Sequence, residues 1–155
     1  MGDANVNAQH ISAGGVGVLV QAPNATAPCT LPPYEDVAFV GRTNDLAQLD
    51  AWQAGPRRVL VLHGAPGVGK TRLAVEWAHR QAAAFPGGRY FLSFRADPYE
   101  ALHEVARLRG VNRAPDERLD QWAIRTLHHV GAERALVLFD DIQSPDAFAT
   151  WFGHL

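Results

Sequence analysis

"LHGAPGVGKT", residues 62–71, decides how the rest of the chain is read. Lys70 is the only lysine among 155 residues, although arginine occurs 13 times. The stretch matches G-x-x-x-x-G-K-[ST] over residues 64–71. Gly64 and Gly69 permit backbone conformations in which a Cβ would clash. The N–H groups of Gly64, Ala65, Pro66, Gly67, Val68, Gly69, Lys70 and Thr71 (Pro66, which has none, excepted) then converge on phosphate oxygens at a helix N-terminus, where the helix dipole favours anions. Lys70 supplies a compact charge for the β- and γ-phosphates, a place that the longer planar fork of arginine does not fill. Thr71 offers a hydroxyl to Mg²⁺.

The flanking sequence agrees. "RRVLVLHG", residues 57–64, is a continuous apolar run and predicts a buried parallel strand. Residues 71–84 predict a helix with Leu73, Ala74, Trp77 and Ala78 on one side, stopped by "FPGG". "RYFLSF" predicts a second strand, and residues 98–108 a helix closed by Gly110. Another helix is expected over 116–130, with Leu119, Trp122, Ala123, Leu127 and Val130 at helical spacing. "RALVLF" predicts a third buried strand. Upstream, Thr43 is expected to N-cap a helix carrying Leu46, Leu49 and Trp52. Downstream, Ser144 is expected to cap a last helix with Pro145 at its first position. Strands alternating with helices define an α/β fold with a mainly parallel sheet.

"LVLFDDI" places four apolar residues before Asp140 and Asp141. At the C-terminal end of a buried strand this is the Walker B form. Asp140 would hold Mg²⁺ through water, and Asp141 would orient or deprotonate an attacking water.

Residues 1–35 differ from the rest. They are rich in Gly, Ala, Asn and Pro and nearly free of charge. Residues 16–20 predict one short strand, and "APNATAPCTLPPYED" reads as a linker. The chain thus divides into an extension, 1–35, and a nucleotide-binding region, 36–155. Net charge is −2, which leaves no global footprint for nucleic acid or a membrane surface. No apolar run reaches the ~18–20 residues of a membrane span. Cys29 is the single cysteine, so no internal disulfide forms, in keeping with a cytoplasmic setting. His128 and His129 point about 100° apart on a helix and do not share a metal easily. His63 reads as a packing residue, Trp52, Trp77 and Trp122 as core, and Arg57 and Arg58 as solvated.

"FVGR", residues 39–42, lies about 20 residues before the glycine-rich loop. Taken in order with "HGAPGVGKT", "LAVEWAHR", "FPGGRYFLSF" and "LVLFDDI", it makes residues 36–155 resemble the NB-ARC group of STAND signalling ATPases, of the bacterial regulator type. The resemblance implies the three-layer P-loop NTPase sandwich. It implies a slow ATP/ADP switch that uses hydrolysis to change state, and it places Val40, Gly41 and Arg42 against the adenine. Family domains usually carry an acidic residue after this arginine, where this chain has Thr43. The resemblance also implies a further strand between the P-loop strand and the Walker B strand, ending in a γ-phosphate sensor. Helical and winged-helix subdomains would follow, and self-association or protein partners would act through them. Leu155 falls before these, so the sheet is expected to be incomplete and the chain a fragment. The alternatives are an AAA+-like ATPase of another class, or a non-catalytic binding fragment.

Overall fold

The structure, a computed structural model, describes residues 27–33, 39–95 and 97–142, Asp146 and Ala149, and the backbone of residues 8–13 and 16–21. Its centre is a parallel pair of strands. Strand β3 (Arg89–Ser93) runs beside β4 (Leu136–Asp140) in a register that sets Arg89 opposite Leu136 and Ser93 opposite Asp140. The numbering follows chain order after a hairpin of β1 (Ala8–Ala13) and β2 (Val16–Gln21).

Side chains alternate across a sheet, and here the alternation separates two cores. Tyr90, Leu92, Val137 and Phe139 face one way, with α3 (Pro98–Leu108) and α4 (Leu119–Gly131). Phe91, Leu136 and Leu138 face the other way, with α1 (Thr43–Ala54) and α2 (Lys70–Arg80). The first core is fully closed: Leu102 and Tyr90 are 0% exposed and Trp122 is 1% exposed. Burial pushes the Tyr90 hydroxyl pKa up, and that hydroxyl donates to the Gly87 carbonyl at 2.8 Å. Helices on both faces of a parallel pair are the α/β arrangement expected from the alternating pattern.

Local signals set most boundaries. The Asp97 carboxylate accepts from the Tyr99 N–H at 2.9 Å and caps α3, with Pro98 in the first turn. Gly110, at φ 68°, turns the chain after α3. The helix predicted from residue 71 begins at Lys70 and ends at Arg80, and a 3₁₀ turn, Ala82–Ala84, completes the predicted stretch. The helix predicted from residue 116 starts at Leu119. Arg89 is buried, and its Nη1 donates to the Ala78 and His79 carbonyls, both at 3.2 Å, so β3 satisfies the end of α2.

Several expectations need correction. Thr43 is the first helical residue of α1 and not its cap; Arg42 is at the cap position, in a left-handed conformation, and no side chain caps that end. Residues 57–64 form no strand, and Val59, Leu60 and Val61 are 40%, 43% and 71% exposed. The reason is an unmade ladder. Residues 58–62 line one side of a cleft of about 1330 Å³, and residues 135–140 line the other. Among the described residues β4 pairs with β3 alone, so its second edge opens on that cleft. Without a strand on that side, residues 137–140 are half-buried where the pattern predicted full burial. His63 is exposed, not packed. The capping at Ser144 and Pro145 lies outside the described residues, as does Trp151; Asp146 and Ala149 are helical.

The stretch read as a linker makes specific bonds to β3. Cys29 forms a parallel bridge with Arg89. The Arg89 N–H donates to the Pro28 carbonyl at 2.8 Å, and the Thr30 N–H donates to the Arg89 carbonyl at 3.0 Å. The Thr30 hydroxyl accepts from the Phe91 N–H, and Leu31 is buried in the second core. The strand predicted over 16–20 is present as β2, paired antiparallel with β1, a strand that the sequence analysis does not predict.

Gly88 permits this docking. Its φ is +114°, and a Cβ there would fall on the Tyr90 hydroxyl and lie 2.8 Å from the Pro28 carbonyl oxygen. Gly88→Ala should therefore lower stability by at least about 2 kcal/mol, from backbone strain and overpacking together. Urea denaturation followed by tryptophan fluorescence checks this. An unchanged midpoint would show that residues 28–30 are not held against β3.

Candidate functional site

Three chain segments meet at the C-terminal end of the parallel pair. The 64–69 loop enters the N-terminus of α2 through three glycines at positive φ: Gly64 at 151°, Gly67 at 74° and Gly69 at 86°. A side chain at any of the three would be strained. Beside Gly67 no atom lies within 4 Å of where a Cβ would be, so the loop crest is open. The Val68 N–H bonds back to the Ala65 carbonyl at 3.4 Å, and the Leu73 N–H to the Gly69 carbonyl at 2.9 Å, which starts the helix.

Lys70 lies across this loop. Its Nζ donates to the Gly64 carbonyl at 2.9 Å and to the Ala65 carbonyl at 3.0 Å. The ammonium is thereby held over the concave side of the loop, at the positive end of the α2 dipole. Ala65 and Pro66 form the exposed shoulder of the loop, and Val68 is 43% exposed.

Thr71 and Asp140 are brought together from 69 positions apart. The Thr71 hydroxyl donates to Asp140 Oδ1 at 2.6 Å. One hydroxyl and one carboxylate side by side are hard oxygen donors of the kind that Mg²⁺ takes alongside phosphate oxygens and water. The residues fit that ion. Asp141, the next residue, has φ 56°, and its Oδ2 lies 3.5 Å from Arg95 Nε.

The "FVGR" segment reaches the loop through one side chain. Gly41 and Arg42 have φ 78° and 58°. The Arg42 guanidinium donates to the Val68 carbonyl and pairs with Asp45 at 3.3 Å. Asp45 thus supplies an acid three positions along the helix, where Thr43 offers none. Val40 is 86% exposed and is not drawn into the loop. Among the described non-glycine residues, positive φ occurs at Arg42 and Asp141, one on each side of the loop. Such conformations persist only where neighbouring contacts hold them, and they gather at binding and catalytic sites.

The sequence reading missed Asp45 and Arg95. Arg95 stands two residues past the end of β3, and ligands of open α/β sheets sit beyond the carboxyl ends of strands. That rule would have found Arg95. Asp45 carries no such signal. Among the described residues no group of three His, Cys, Asp or Glu side chains is placed to hold a metal ion, and no helix is long and apolar enough to cross a membrane.

The model of the AAA ATPase domain family matches residues 38–151, so the chain belongs to that family of P-loop ATPases. It is also similar to a curated protein, Regulatory protein AfsR of Streptomyces coelicolor. The two are 31% identical over an alignment of 128 positions that covers 76% of this chain and 13% of AfsR. The chain therefore spans a small part of that relative's length. No solved structure matches it.

Asp140→Asn removes one full negative charge from the Thr71–Asp140 pair while keeping its shape. The gain in nucleotide affinity that Mg²⁺ provides should fall by about tenfold, on the scale of a charge-assisted contact. Titrations with and without Mg²⁺ measure it. An unaltered Mg²⁺ increment would remove Asp140 from the metal site.

Proposed function

We propose that this chain is the adenine-nucleotide-binding switch module of a STAND-type regulator of the NB-ARC kind. The observation that carries the reading is the meeting of Lys70 and Thr71, at the open N-terminus of α2, with Asp140 at the end of β4. The relative's printed name, a regulatory protein, supports a regulatory role over metabolic turnover. Family membership alone also fits an AAA+-like ATPase of another class. The "FVGR" element, with Arg42 bonded to the loop, favours the switch reading.

In this proposal residues 64–71 hold the phosphates of ATP or ADP, and Lys70 faces the β- and γ-phosphates. Val40, Gly41 and Arg42 lie against the adenine. Thr71 and Asp140 would hold Mg²⁺, which would supply positive charge to neutralise phosphate oxygens. Asp141 orients or deprotonates the attacking water. Hydrolysis is slow and sets the lifetime of a state. The nucleotide module covers residues 36–155, and residues 1–35 form an extension whose 27–33 part docks on β3. The complete fold is the three-layer P-loop sandwich, with a further strand in the cleft between residues 58–62 and β4. The module works in the cytoplasm, and other domains of the regulator supply self-association or protein partners.

The direct test is calorimetry with ADP and Mg²⁺. Lys70→Ala removes the ammonium above the loop, and binding should weaken by about 2–4 kcal/mol, the scale for truncating one partner of a desolvated charge pair. ATP should displace a labelled adenine nucleotide far better than GTP does. A Lys70→Ala protein that binds as well as the parent would refute the phosphate-loop assignment, and equal displacement by GTP would refute the adenine assignment.

A further inference from the structure

The proposed reading places Arg42 against the adenine, yet its guanidinium is engaged elsewhere. It donates to the Val68 carbonyl and pairs with Asp45 at 3.3 Å. A Cβ built on Gly69 would lie 3.9 Å from Arg42 Nη2, so the guanidinium stands against the peptide between residues 68 and 69. The segment that carries it is anchored. Phe39 packs against the second core, with the Arg80 guanidinium 5.8 Å from its ring centre. Gly41 turns the chain at φ 78°, and the Leu46 N–H donates to the Arg42 carbonyl at 3.0 Å.

A peptide group is planar and trans, so its carbonyl and its N–H point in opposite directions. A cation on the Val68 carbonyl therefore fixes where the Gly69 N–H points, which is away from the guanidinium. Glycines at 67 and 69 leave this peptide many orientations when it has no partner. One that turned the carbonyl toward a phosphate would set two negative groups face to face. The carbonyls of Gly64 and Ala65 are held by Lys70. In the proposed reading that ammonium faces the phosphates, so it serves the ligand. Arg42 serves the loop.

We infer that Arg42 is a positioning residue for the phosphate loop: its side chain holds the Val68 carbonyl and thereby aims the Gly69 N–H at the bound phosphate. The inference rests on the nucleotide-binding reading of residues 64–71 and deepens it. It moves the effect of the Arg42 side chain from the base to the phosphates.

The test compares Arg42→Ala and Arg42→Lys with the parent 155-residue chain. The probes are Mg²⁺–ADP and Mg²⁺–pyrophosphate, which has the phosphates and no base, each in competition with labelled ADP. Arg42→Ala should weaken both by about tenfold, the scale of one hydrogen bond with a charged partner. Arg42→Lys should recover most of the loss, since an ammonium also donates to a carbonyl. In NMR spectra of the ligand-free proteins, Arg42→Ala should shift the Gly69 amide more than those of residues 44–46 and speed its exchange with solvent. Weakened ADP with unaltered pyrophosphate would make the side chain a base contact and overturn the assignment. Unchanged affinity for both would overturn it too. So would a Gly69 amide left in place while residues 44–46 shift, the mark of a merely structural role at the start of α1. If the parent does not bind ADP, or binds it undisplaced by pyrophosphate, the phosphate-loop reading itself fails, and this inference with it.

Discussion

The hydrogen bond from the Thr71 hydroxyl to Asp140 Oδ1, at 2.6 Å, joins the two halves of the site across the cleft. On one side stands α2, whose first amides point toward the 64–69 loop. On the other stands β4, whose register with β3 fixes where Asp140 comes to lie. Both parents are held from behind. Leu73, Trp77 and Ala78 bury α2 in the second core, and Trp77 Nε1 donates to Asp50 of α1 at 2.8 Å. Arg89 closes the far end of α2 from β3. The distance between a hydroxyl and a carboxylate is thus set by helix packing and sheet register, and not by the 64–69 loop.

Tension in the chain accumulates around that bond. Arg42 and Asp141 adopt left-handed conformations, which cost an ordinary residue on the order of 1–3 kcal/mol. Each is answered by a contact: Arg42 by the Val68 carbonyl and Asp45, Asp141 by Arg95. The apolar cleft beside β4 is a second cost. Val59, Leu60 and Val61 face it without ladder partners among the described residues. An unpaired strand edge next to apolar side chains is a template for another strand. The proposed sandwich, with one more strand in that place, would remove this cost, because that strand would pair with β4 on one side and with residues 58–62 on the other.

Much of the site was legible because its signal is local. Three glycines, one lysine and one threonine at fixed spacing dictate a loop and a helix start whatever else the chain does. The acidic pair after "LVLF" is local in the same way. Helix faces were legible because Leu73, Trp77, Trp122, Leu127 and Val130 recur at helical spacing. What failed depends on partners far away in sequence. Residues 57–64 have every property of a buried strand, but a strand needs neighbours, and propensity does not supply them. Residues 28–31 carry prolines and small polar side chains, so nothing local reveals that Arg89 and Phe91 bond to them. Thr43 was read as a cap by residue type, while the geometry gives the cap position to Arg42 because Gly41 has already turned the chain. Arg95 escaped notice because an arginine after a strand looks solvated until the neighbouring strand brings Asp141 beside it.

The central claim is that phosphate is held by backbone amides at the start of α2, with Lys70 and the Thr71–Asp140 pair around it. Amide-resolved NMR on the labelled protein, titrated with ADP and Mg²⁺, tests it most directly. The largest shifts should fall on the amides of residues 64–71, with smaller ones at Arg42 and Asp140, and they should vanish in Lys70→Ala while the remaining spectrum stays dispersed. Shifts confined to other surfaces, or the same loop shifts in Lys70→Ala, would contradict the account.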